Sequence, residues 1–103
     1  MEEFEHKQGD LLVVKDVIQH WPNKEVKFLI DNILPNFKYA LVTNDYHPSN
    51  SNSDIKFGRL RAINLEAEPF DINGSLTVLI DYQSYDSIKR VYLYKNNNAL
   101  RKN

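Results

Sequence analysis

Between Asp10 and Trp21 the apolar residues Leu11, Val14, Ile18 and Trp21 fall on one helical stripe, with Asp10 placed as an N-cap. A period-two reading also puts Leu12, Val14 and Ile18 on one face, but it sets Asp16 among them. Valines at 13, 14 and 17 favour a strand by propensity, because β-branched side chains fit a pleated surface. The stripe predicts a helix over about 10–20, stopped by Pro22, which pushes Trp21 out of the α region. A second helix is expected over 23–34. Asn23 can cap it, Glu25 sits in its positive first turn, and Val26, Leu29, Ile30 and Ile33 give the stripe. Pro35 ends it, so the first third reads as a helical hairpin turning at 21–23.

Past Pro35 the period changes to two. Phe37, Tyr39, Leu41 and Thr43 alternate with Lys38, Ala40 and Val42, the pattern of a strand. Residues 44–54, rich in Asn, Ser and Asp, read as an exposed loop. A second strand is expected over 55–64, with Gly58 marking a bulge, and an edge strand over 65–72, bent at Pro69. Asn73-Gly74 is the sharpest local signal, because both central residues of a type I′ turn need positive φ. Strands over 75–83 and 88–95 follow, turning through 84–87.

The predicted class is α+β: an N-terminal helical segment (about 10–34, two short helices) packed on a four- to five-stranded antiparallel meander (about 37–95). One domain over 1–103 is expected, with mobile ends at 1–9 and 97–103.

Composition narrows the chemistry. A chain of 12.1 kDa folds to roughly 6,000 Å² of surface from about 17,500 Å² unfolded, enough burial for a core without staples. No cysteine is present, which excludes disulfide frameworks, Cys-ligated zinc, iron–sulfur clusters and thiol nucleophiles. The acidic start, Met1-Glu-Glu-Phe-Glu-His-Lys, has neither the basic n-region nor the apolar h-region of a secretory signal. Its apolar runs are far shorter than the ~20 residues that span a bilayer. A cytoplasmic protein is expected. Heavy Asn, Ile, Lys and Tyr usage with little Gly or Ala is common among phage and mobile-element products.

Catalytic motifs are missing. His6, His20 and His47 lack helical metal-site spacing, and three glycines cannot build phosphate-binding loops. Asp54-Ile55-Lys56 and Glu25-Val26-Lys27 have the acid-x-Lys shape of some metal-dependent nucleases, a pattern that chance supplies in chains of this charge. Glu66 and Glu68 would share a face about 7 Å apart if extended, a spacing equally natural for edge-strand charges. The expectation is no enzyme, no cofactor and no metal.

Charge is uneven. After Asp86 there is no acid, only Lys89, Arg90, Lys95, Arg101 and Lys102. With Val91 and Leu93 on the core side, Arg90, Tyr92 and Tyr94 would point outward, and Arg90, Tyr92, Tyr94, Lys95, Arg101 and Lys102 become the candidate partner-binding residues. Tyr and Arg are hot-spot residues at protein interfaces, and the same types can stack bases and neutralise phosphates. The net charge of −1 favours the first use over the second. Trp21 reads as the residue closing the helical hairpin or, if exposed, as an anchor. The expected function is a non-enzymatic protein-binding module of the phage or mobile-element inhibitor or regulator type. Two alternatives are a nucleic-acid-binding protein using the C-terminal strand and tail, and a subunit of a homo-oligomer.

Overall fold

The first strand lies where a helix was expected. In the computed structural model, which describes residues 9–72 and 74–96, β1 (Gly9–Lys15) pairs in parallel with β2 (Phe37–Asp45), Val13 opposite Leu41 and Val14 opposite Val42. The apolar run Leu11 to Val14 is the run of a parallel strand. The objection raised by Asp16 disappears because the strand ends at Lys15, Asp16 turns the chain at φ 57°, and Ile18 belongs to a separate 3₁₀ turn (Ile18–His20).

The second helix forms, shorter and tighter-ended than its stripe implied. α1 (Asn23–Phe28) runs into a π-helical turn (Leu29–Ile33) and a 3₁₀ turn (Leu34–Asn36) that carries Pro35. Its N-terminus is capped from across the chain: the Asp54 carboxylate accepts the Asn23 N–H at 2.8 Å and the Ile55 N–H at 2.9 Å. The helix buries Val26, Leu29 and Ile33, while Ile30 is only partly covered. β1, α1 and β2 thus make a βαβ unit, not a helical hairpin on a meander.

Among the described residues the sheet has four strands in the order β1-β2-β4-β3, where β3 is Leu76–Ser84 and β4 is Ser87–Lys95. It is mixed: β2–β4 and β3–β4 are antiparallel and β1–β2 is parallel. The C-terminal hairpin sits where the alternation placed it, with a bulge between Val78 and Ile80. The expected strands over 55–64 and 65–72 do not form. Their backbone groups bond locally, to side chains, and singly to distant carbonyls such as those of Gln19 and Asp45 instead. Asn52 donates to the carbonyls of Asn64, Ala67 and Glu68 and accepts the Asn64 N–H, while Asn64 reaches Ser49 O at 3.0 Å. The period-two burial of Ile63, Leu65 and Ala67 survives without a ladder. Asn73 lies outside the described residues, as do 1–8 and 97–103 with Arg101 and Lys102; Gly74 has φ +79°.

The core lies between one sheet face and the cover formed by the helix and the 46–72 segment. Val14, Ala40, Val42 and Tyr92 meet Ile18, Val26, Leu29, Ile33, Ile63, Leu65 and Phe70 there. Arg61 locks the cover down, donating to the carbonyls of Ser53, Ile18 and Gln19 and to the Asn23 amide oxygen. Among the described residues no helix is long and apolar enough to cross a membrane.

Candidate interaction site on the C-terminal hairpin

Register decides which side of β4 is covered. Tyr92 pairs with Val42 and Tyr94 with Ala40, so both tyrosines face the core side. Tyr92 is fully buried and Tyr94 half-buried, the reverse of the expected orientation. The error arose because Val91 and Leu93 look more apolar than tyrosine, while the cover above Tyr92 comes from residues far off in sequence. Burial pushes the Tyr92 phenol up to about 12, with the Arg90 charge pulling it back, and burial raises Tyr94 as well. Apart from the nearby Arg90 guanidinium, the Tyr92 hydroxyl has no partner among the described residues.

Arg90 is committed internally. Its Nε and Nη2 donate to the two Asp81 oxygens at 2.8 and 2.9 Å, and its Cζ lies 3.5 Å from the centre of the Tyr46 ring. That fork ties β4 to β3 and holds the Asp81 carboxyl below its ordinary range. Lys95 is exposed and has no carboxylate partner among the described residues. Of the six partner-binding candidates the structure therefore places Lys95 freely at the surface, leaves Tyr94 half-covered, and uses Arg90 and Tyr92 to hold the hairpin.

Lys89, on the opposite side of β4, bridges Asp45 at 2.5 Å and Asp16 at 3.1 Å, and Ser87 Oγ donates to Asp45. Burial alone would depress the Lys89 pKa, but its hydrogen bonds to the two carboxylates carry it above the usual lysine value. A folded pKa above the unfolded one adds stability that is complete below about 10.5 and fades as pH rises through the folded value. Lys89→Met is expected to lower stability by about 2 kcal/mol at pH 7, because it strands two partly buried carboxylates. In urea titrations the gap from wild type should then narrow above pH ~10.5. An equal midpoint at pH 7 would show that the bridge contributes nothing.

The exposed surface of the hairpin was not visible in the sequence. β3 is an edge strand open along most of its length, with Val78, Leu79, Ile80 and Tyr82 exposed. Its run Leu-Thr-Val-Leu-Ile reads like a buried strand, and only the register shows that no described strand lies beyond it. At the hairpin tip Tyr85 is 98% exposed and holds φ 53°, a left-handed conformation that L side chains rarely adopt. Gln83 Nε2 donates to Tyr85 O at 2.8 Å and Ser87 Oγ to Ser84 O at 3.1 Å, which fixes the turn around it.

The other candidates have structural roles. Glu66 and Glu68 are exposed beside Asp71 around a polar hollow, and among the described residues no group of acids or histidines is placed to hold a metal. Asp54 caps the helix, Glu25 stays on it, and His20 Nδ1 lies 3.1 Å from Arg59 O. Trp21 is half-buried, lining an apolar groove of about 320 Å³ with Leu12, Val14, Val17 and Leu29. No family model, no curated protein and no solved structure matches this chain.

Proposed function

We propose that this protein is a non-enzymatic protein-binding module that engages its partner through the β3–β4 hairpin. The observation that carries the reading is the open edge of β3, ending in a fully exposed Tyr85 on left-handed backbone. An edge strand offers unpaired N–H and C=O groups to an added strand. A fully exposed tyrosine at its end supplies the rigid amphipathic anchor common at interface hot spots. The two-residue turn between Ser84 and Ser87 requires positive φ at its first central position, and this holds the Tyr85 side chain out at the tip. Small size and the absence of catalytic motifs support an inhibitor or regulator. Nucleic-acid binding is disfavoured because Arg61, Lys89 and Arg90 are all spent on internal contacts.

A photo-crosslinking residue at position 79, exposed to an extract of the native cells, tests this. One discrete protein adduct is expected, resistant to nuclease and reduced at least tenfold by Tyr85→Ala. A nuclease-sensitive adduct, or one formed equally from Lys24 on the helix, would overturn the proposal.

A further inference from the structure

The β1 edge of the sheet has an apolar trench beside it. The Asp16 N–H donates to Thr43 O at 2.8 Å. Alternation along the strand then turns the N–H and C=O groups of Leu11, Val13 and Lys15 away from β2. β1 ends the sheet, and no described strand takes these groups up. On the core side of the same edge lies the groove of about 320 Å³. The sheet lines it with Leu12 and Val14, the following turn with Val17 and Trp21, and the π-helical turn with Leu29 and Ile33.

We infer that this edge takes an extended apolar segment of a partner protein, added as a further strand beside β1. Two observations converge on that occupant. The row of unpaired peptide groups calls for another backbone, and the groove calls for apolar side chains at every second position. A small apolar molecule would fill the groove and leave the peptide groups unmet. A helix has its own peptide groups paired along its length and would leave them unmet too. The β1 strand of a second copy cannot fill the groove, because its Leu12 and Val14 are already turned into its own core.

Size and charge narrow the segment further. A strand beside β1 places side chains on the groove side at a spacing of roughly 6.6 Å, so about two or three branched aliphatic residues meet the groove. Lys15, at the end of β1, also lines it and has no carboxylate partner among the described residues. The neighbouring Asp16 is held by Lys89, so an acidic residue at one end of the segment can pair with Lys15. The contact lies at the opposite end of the sheet from β3 and is independent of Tyr85.

Two synthetic heptapeptides that alternate valine and threonine, one with a glutamate at its amino end and one at its carboxyl end, test this on the full chain. Trp21 is the chain's single tryptophan, so its fluorescence reports on the groove. At least one peptide is expected to shift that emission to the blue, with a Kd on the order of 10–100 μM. N-methylating either the valine or the threonine amides separates backbone from side-chain contact. The set that faces β1 should lose affinity by about tenfold or more, while the other stays within about twofold. Val17→Glu, at a side chain already 38% exposed, should weaken binding by about tenfold or more, because it puts a charge in the groove. Lys15→Glu should cost the glutamate peptide about threefold and spare its glutamine counterpart. Binding that ignores both methylated sets, or ignores Val17→Glu, overturns the inference. So does an unshifted emission with both peptides at about 1 mM. Tyr85→Ala should leave the peptide affinity unchanged, so this result and the crosslinking result fail separately.

Discussion

Arg61→Ala should lower stability by about 3–4 kcal/mol, a large share of the ~5–15 kcal/mol that holds a domain of this size. One guanidinium satisfies three carbonyls and the Asn23 amide oxygen, joining the 3₁₀ turn, the helix start and the long segment. Hydrogen bonds from a charged donor contribute about 1.5–3 kcal/mol each, and bonds sharing one donor group do not add fully. Burial lowers the Arg61 pKa and Asp54 draws it back; arginine stays charged throughout the working range. Arg61→Lys should recover less than half of the loss, since an ammonium cannot reproduce the planar fork. Urea denaturation monitored by circular dichroism checks both. An unmoved midpoint for Arg61→Ala would mean that the cover is held by its apolar contacts alone.

Tyr92 gives the second large effect. Its ring is fully buried among Val42, Ile63 and the neighbouring core, so Tyr92→Ala should cost about 3–5 kcal/mol. Tyr92→Phe should lie within about 1 kcal/mol of wild type, because the hydroxyl loses no more than the approach of the Arg90 guanidinium. A Tyr92→Phe loss comparable with that of the alanine variant would show that the hydroxyl is bonded in solution. Thermal and urea unfolding of the two variants side by side make the comparison.

The contrast between these residues shows what the sequence could convey. Local signals were legible: the alternation in β2 and β4, the turn between Ser84 and Ser87, and the Val26–Leu29–Ile33 stripe all describe their own neighbourhoods. Residues 10–20 were ambiguous because helix and strand share Val14 and Ile18; pairing with β2, more than twenty residues on, decided it. The 55–72 stretch kept its alternation but lost its ladder to Asn52 and Asn64. Their side chains bond backbone groups that a strand would have paired, and no periodicity records that. The candidate site failed on the same ground. Which face of β4 is wet depends on Ile63 and Leu65 arriving from elsewhere, so Arg90 and Tyr92 looked available when they were not.

The strand order carries a consequence for synthesis. β4, the last of the described strands, lies inside the sheet between β2 and β3. Until residues 87–95 have left the ribosome, β2 has only β1 beside it and β3 has no neighbour at all. Tyr39 must then find Lys95 across more than fifty intervening residues, a closure that slows folding. The sheet therefore cannot close before β4 is present, and it forms as a whole. A chain cut short before Ser87 would present the raw apolar edges of two unjoined pieces, which cellular proteases and chaperones are equipped to recognise.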